Sequence, residues 1–101
     1  MALKNYSKGG SFTIGTPVPI LTMSGTSFIS IGMVLHNKNT VNASVQVVLN
    51  DGSQLVQIID EVLLPKESYF YDIKMVVSDG SSIEVTTDQP ELHVSISGDE
   101  E

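Results

Sequence analysis

Two histidines and two turn aspartates are the residues of this chain whose types could support chemistry. His36 and His93 could act as bases or metal ligands, and Asp51 and Asp79 each precede a glycine, where a carboxylate could bind a cation. Nucleophilic catalysis needs an activated Ser or Cys with a base and an orienting group, but the chain has no Cys and no Gly-x-Ser-x-Gly motif. Two histidines without clustered carboxylates do not predict a zinc site, and neither Asp-Gly pair resembles a calcium-binding loop. We therefore expect a protein that is not an enzyme and has neither a metal nor a cofactor.

The charge of the chain argues against two classes of partner. Five lysines, no arginine and twelve acidic residues give a net charge of −7. Nucleic-acid affinity depends on Lys and Arg clusters that contact phosphates, and an anionic membrane surface repels an acidic protein. Residues 1–10 lack the apolar core of a signal peptide, and the absence of cysteine favours synthesis in a reducing cytoplasm. We expect no nucleic acid and no membrane among the partners.

Hydrophobic residues recur with a period of two along most of the chain. The segments 27–36, 44–50, 82–87 and 91–97 each alternate apolar with polar or small residues, which is typical of antiparallel strands with one buried and one wetter face. The alternation predicts a buried set and a set that tolerates substitution. The predicted buried residues are Ile31, Met33, Val47, Val85, Val94 and Ile96, and the predicted surface residues are Ser30, Gln46, Glu84 and Ser95.

Turn signals separate these segments at short intervals. Asn50-Asp51-Gly52-Ser53 and Asp79-Gly80-Ser81 are hairpin-type signals, because Asp-Gly can place both central residues at positive φ. Short strands at regular spacing predict an all-β antiparallel sandwich of about seven to eight strands, of jelly-roll or immunoglobulin-like type. Residues 54–64 also fit helical spacing; the preceding turn favours a strand, with Asp60-Glu61 marking a bulge.

The two ends of the chain are predicted to lie outside this sandwich, which spans residues 11–98. Residues 1–10 are interpreted as a flexible arm with Lys4 and Lys8 on it and Gly9-Gly10 as its hinge, and residues 99–101 as an acidic tail. The arm would either order on a neighbouring subunit, with Leu3 and Tyr6 as apolar anchors, or remain a disordered terminus. Tyr69-Phe70-Tyr71 places aromatics on both faces of one strand, so one side is free for an interface. The candidate partner-contact residues are Leu3, Lys4, Tyr6, Lys8 and Phe70.

The order of turns and strands in residues 26–101 forms a recognisable pattern. It comprises a strand ending in Asn37, a hairpin over residues 44–52, the entry Pro65-Lys66-Glu67-Ser68, a turn over residues 74–85 and a final strand ending Val94-Ser95-Ile96-Ser97-Gly98. In these motifs the chain resembles a loose group of small bacteriophage virion proteins. It departs from them at Lys66, where their pattern usually has a glycine after the proline.

The resemblance implies a structural protein of the virion, made in the host cytoplasm. It favours a capsid decoration (cement) protein that binds the outer shell, with the major capsid protein as partner. A tail, neck or fibre-associated module is the alternative within the virion, and a carbohydrate-binding module is the alternative outside it. The sparse charge of the strands and the need to protect sheet edges further predict a homo-oligomer, with a trimer favoured.

Overall fold

The computed structural model describes residues 2–101, which form nine strands and, within that range, no helix. The strands are β1 Ala2–Ser11, β2 Val18–Thr22, β3 Phe28–Asn37, β4 Ala43–Asn50, β5 Leu55–Leu63, β6 Ser68–Tyr71, β7 Val76–Val77, β8 Ser82–Thr87 and β9 Glu91–Glu100. Among these residues there is accordingly no helix long and apolar enough to cross a membrane. The all-β prediction is confirmed, with a strand count slightly above the expected seven to eight.

The strands form two antiparallel sheets packed face to face. Sheet A has the order β1-β9-β3-β6, with the short β7 also pairing with β3, and sheet B has the order β2-β8-β4-β5. Chain neighbours such as β2 and β3 therefore lie in different sheets, while the last strand, β9, pairs with both β1 and β3. This double-sheet Greek-key arrangement is the jelly roll, so the structure decides between the two sandwich types that the sequence left open.

The core lies between the sheets and is built from alternate residues of both. Met33, Val47, Val85, Val94 and Ile96 are all buried, as the period-two pattern predicts. The same cluster includes large side chains from several other strands and loops, namely Phe12, Leu21, Met23, Phe28, Leu35, Ile59, Leu63, Val77, Ile83 and Leu92.

A β-bulge in β3 corrects the predicted face of two residues. The register of β3 with β9 shifts between Ser30 and Gly32, so Ile31 is an extra residue on its strand. A bulge exchanges the faces on either side of it: Ile31, predicted to be buried, is 44% exposed, and Ser30, predicted to be on the surface, is buried. Ser30 is satisfied there because its hydroxyl donates to the Ile73 carbonyl at 2.7 Å and accepts from the Met75 amide at 2.9 Å.

Residues 54–64 contain strand β5, as the turn before them predicts. β4 and β5 form a hairpin in which Asp51 Oδ1 accepts hydrogen bonds from the amides of Ser53 and Gln54, at 2.9 and 2.8 Å. These backbone hydrogen bonds favour the carboxylate and lower the pKa of Asp51. The predicted bulge exists but lies at Ile58, between the pairs Val48–Gln57 and Val47–Ile59, and not at Asp60-Glu61.

Both ends of the chain are strands, in contrast to the predicted arm and tail. Residues Ala2–Ser11 pair with β9 over their whole length, so residues 2–10 are part of sheet A; Met1 lies outside the described residues. At the other end β9 continues to Glu100, and Glu101 is held by Thr26, whose hydroxyl donates to its carbonyl at 2.7 Å, and by the Ser27 hydroxyl, which donates to its carboxylate at 3.1 Å. The domain therefore extends over both predicted appendages.

The departure at Lys66 coincides with an unusual backbone conformation. Lys66 has φ of 62°, the left-handed region that glycine adopts without steric cost. A side chain there costs about 1–2 kcal/mol, and the Lys66 ammonium donates to the Lys38 carbonyl across the neighbouring loop. The left-handed backbone conformation explains why the motif usually has glycine after the proline. The hydrogen bond to the Lys38 carbonyl partly offsets the steric cost of lysine at this position.

Candidate functional site

The outer face of sheet A carries a cluster of apolar side chains, which we name the apolar face. It consists of the exposed Ile29, Ile31, Phe70 and Val76 and the half-buried Val34. Phe70 is 77% exposed and Val76 56% exposed. Strand register brings them together, because Val34 pairs with Phe70 and Ile29 with Val76. The bulge enlarges the cluster by turning Ile31 to solvent beside Ile29. Contiguous exposed apolar side chains of this kind mark interaction sites.

The middle of the half of this face next to the N-terminal strand is polar and uncharged. Asn5 donates to the hydroxyls of Ser95 and Ser97 at 3.0 and 2.9 Å, and the Ser95 hydroxyl donates to Asn5 Oδ1 at 3.1 Å. These groups satisfy one another within the protein, so covering them costs less than covering unpaired polar groups. The charged residues of β9 on this side, Glu91 and Asp99, lie towards the two ends of the strand.

The two histidines are register partners on the same face, but their rings lean apart. His36 and His93 are paired across β3 and β9. His36 Nδ1 lies 2.8 Å from the Ser68 hydroxyl on β6, whereas His93 Nδ1 lies over β1, 2.7 Å from the point where a side chain at Gly9 would begin. The arrangement does not converge on a common ligand, and residues 2–101 contain no cluster of three or more His, Cys or acidic side chains.

The structure separates the five predicted contact residues into two groups. Leu3, which is 78% exposed, and Phe70 project from sheet A into solvent, and Lys4 is exposed at the rim. Tyr6 instead packs edge-on against Phe28 with ring centroids 5.5 Å apart, and its hydroxyl donates to Glu100. Lys8 places its ammonium 5.4 Å from the centroid of the Phe12 ring.

The environment of Tyr6 explains why it contributes to the fold and not to an open surface. The hydrogen bond to Glu100, followed by burial and the Glu100 charge, raises the pKa of Tyr6. A phenol that stays protonated keeps donating to the carboxylate, which ties the first strand to the last.

The sequence patterns did not identify Ile29, Ile31 and Val76 as surface residues, since β-branched side chains on a strand are equally typical of a core.

Sheet B has a different outer face, with a shallow cavity of about 360 Å³. Its lining includes Ser44, Gln46, Asp60 and Thr86 from the sheet, with Ile14 and Asp88 at its edge. Asp88 Oδ1 already accepts from the Ser44 amide at 2.8 Å. No aromatic side chain lines the cavity, whereas sugar rings are usually bound against one, so the arrangement gives no support to a carbohydrate site.

Comparisons with known proteins bear on the fold. No protein-family model matches the sequence, and no curated protein matches it either. The Drosophila NLP core, studied for pentamer formation and histone binding, is 13% identical over 100% of this chain and 99% of its own, with a TM-score of 0.54. The globular domain of zebrafish complement 1qA is 7% identical over 96% of this chain and 94% of its own, with a TM-score of 0.53.

A viral particle contains a similar domain. A chain of the IBDV particle is 10% identical over 95% of this chain, with a TM-score of 0.53, and this chain spans 30% of its length. Likenesses at such identities show the fold and not the activity. The chain is therefore a jelly-roll domain of a kind found in a viral particle, in complement 1q and in a pentameric core.

Proposed function

We propose that the protein is a structural subunit of a bacteriophage virion, and specifically a decoration (cement) protein that binds the outer shell through its apolar face. The observation that carries this proposal is the apolar face itself. It presents Ile29, Ile31 and Phe70 to solvent, with Asp99, the register partner of Ile29 on β9, as a carboxylate beside them. Contiguous exposed apolar side chains mark interaction sites. The cavity on the outer face of sheet B is lined mainly by hydroxyls, amides and carboxylates instead.

Three further observations support a structural role. The fold is shared with a domain of the IBDV particle, and the motifs of residues 26–101 resemble those of small phage virion proteins. His36 lies 2.8 Å from the Ser68 hydroxyl, but among the described residues no hydrogen bond joins this histidine to a carboxylate that would orient it. We propose the major capsid protein as partner and a homo-oligomer as the assembled form, with the trimer as the smallest closed ring; the NLP core shows pentamer formation on a similar fold.

Phe70→Glu is expected to weaken attachment to the shell strongly without harming the fold. Phe70 points away from the core, so a charge there leaves the packing intact but must be buried unpaired on binding. Exposed aromatics at interface centres are frequent hot spots, and we expect binding to particles that lack the protein to weaken by roughly thirtyfold or more in co-sedimentation. Circular dichroism should show the same strand spectrum for the variant and the parent.

Gln46→Glu is the matched control, because it adds the same charge to the outer face of sheet B. It should bind particles as the parent protein does. Equal binding by the Phe70→Glu protein, or loss of binding only in the Gln46→Glu protein, would contradict the assignment of the apolar face.

A further inference from the structure

The two long sheet edges of the protein carry opposite charge. β1 has ten residues, contains Lys4 and Lys8 and has no acidic residue. β5 has nine residues, contains Asp60 and Glu61 and has no basic residue. The asymmetry extends further along the sequence, since the first acidic residue of the chain is Asp51. An edge strand offers unpaired backbone donors and acceptors to another strand, so its charge influences which strand it can pair with.

These two edges lie on opposite flanks of the sandwich. β1 ends sheet A and β5 ends sheet B. On one flank β1 contacts β2 of the other sheet; on the opposite flank the Tyr69 hydroxyl, on β6, accepts a hydrogen bond at 3.2 Å from the amide of Leu64, next to β5. The other two edges are poor templates, because β2 has five residues with Pro19 and a register shift, and β6 has four residues.

We propose that β1 of one copy docks along β5 of a second copy, head to tail, and that this contact closes a ring. The inference rests on the proposed homo-oligomer and names the surfaces that build it. Pairing β1 with β1 would oppose lysines, and pairing β5 with β5 would oppose carboxylates, whereas β1 against β5 opposes unlike charges. Opposite flanks give each subunit one edge of each kind, which is the requirement for a heterologous ring.

Apolar side chains accompany the charges on both edges. Leu55, Val56 and Val62 of β5 are exposed, as is Leu3 of β1. Exposed ion pairs contribute little to affinity, so the charges select the partner edge while backbone pairing and apolar contact hold it. The apolar face remains free on the ring for the shell.

Charge reversal on each edge tests the inference in the isolated protein by analytical ultracentrifugation. Lys4→Glu/Lys8→Glu and Asp60→Lys/Glu61→Lys should each raise the dissociation constant of the ring by roughly tenfold or more. The protein carrying all four changes should assemble again, because its edges are complementary with the signs exchanged. A mixture of the two double variants should also associate. Lys38→Glu/Lys74→Glu, which makes the same change in net charge as Lys4→Glu/Lys8→Glu but outside both edge strands, should assemble as the parent does.

Several outcomes would overturn the ring. The first is a monomeric parent protein, and the second is a parent that forms a two-fold dimer which only one of the two double variants disrupts. The third is a protein with all four changes that stays dissociated. Because Lys8 packs on Phe12, Lys4→Glu alone serves if the double variant misfolds. Failure here is distinct from failure of the proposed function, since the Phe70→Glu protein should still form rings and a ring-deficient protein should retain its apolar face.

Discussion

Gly98→Ala is expected to destabilise the protein by about 3 kcal/mol or more, an overpacking effect at the upper end of the usual range. A Cβ built on Gly98 would lie 2.1 Å from the Ile29 carbonyl oxygen and 2.7 Å from Cζ of Phe28. The first contact is with backbone of a central strand in sheet A, so neither neighbour can withdraw without breaking the pairing of β3 with β9. Urea denaturation should show a lowered midpoint or no cooperative transition at all.

Gly32→Ala is the matched control in the same sheet. The added Cβ would lie 3.4 Å from the Tyr71 carbonyl oxygen, which is an ordinary contact. We expect a change within about 1 kcal/mol, of either sign, because alanine is also less costly than glycine to order in a strand. A Gly98→Ala protein as stable as the Gly32→Ala protein would show that β3 and β9 are not as close as the structure has them.

Asn37→Ala is expected to destabilise the protein by about 3–5 kcal/mol, since several buried polar groups lose their partner together. Asn37 is fully buried at the end of β3. Its amide donates to the carbonyls of Val41, Leu63 and Leu64 at 2.9, 3.0 and 3.2 Å. Its Oδ1 accepts from the backbone and side-chain amides of Asn39 at 2.9 and 2.8 Å. One side chain thus joins the loop after β3 to the end of β5.

Two further variants separate hydrogen bonding from simple loss of volume. Asn37→Asp keeps the shape but turns the donor towards the three carbonyls into an acceptor, so it should be at least as damaging as alanine at neutral pH. Asn42→Ala, at an exposed position in the same loop, should change stability by less than about 0.5 kcal/mol. Chemical denaturation of the three proteins checks this, and a stable Asn37→Asp protein would refute the role given to the amide.

The sequence predicts the sandwich well because its strongest signals are those that the core requires. Alternation in residues 44–50, 82–87 and 91–97 matches β4, β8 and β9, since each of these strands is buried on one face. The Asp51-Gly52 signal correctly predicts the hairpin of β4 and β5, although Gly52 alone of the two adopts positive φ. The Asp79-Gly80 signal is not a hairpin, because it joins β7 of sheet A to β8 of sheet B. Local sequence patterns mark Asn37 and Gly98 only as positions within a motif. The contacts that make these two residues important for stability come from strands and loops distant in the sequence.

The predictions that were wrong concern edges and irregularities. The sequence predicts a flexible arm for residues 1–10 because they are polar and end in Gly9-Gly10. In the structure Tyr6 and Lys8 of β1 are half-buried, since such side chains can cover the margin of a core while their polar ends reach solvent. The bulge at Ile31 is directly followed by Gly32, and an isolated glycine within a strand pattern is a signal for a bulge that the period-two prediction did not use. A shift by one residue exchanges buried and exposed faces. The apolar face depends on that bulge and on the register of β3 with β6 and β7. Local sequence patterns do not specify this register.

Cryo-electron microscopy of phage particles assembled in the presence of the protein tests the proposed decoration role most directly. The account predicts repeated jelly-roll density on the outside of the shell, with Ile29, Ile31 and Phe70 of sheet A directed at the major capsid protein. Particles that lack this density, or density in which sheet B faces the shell, would contradict it.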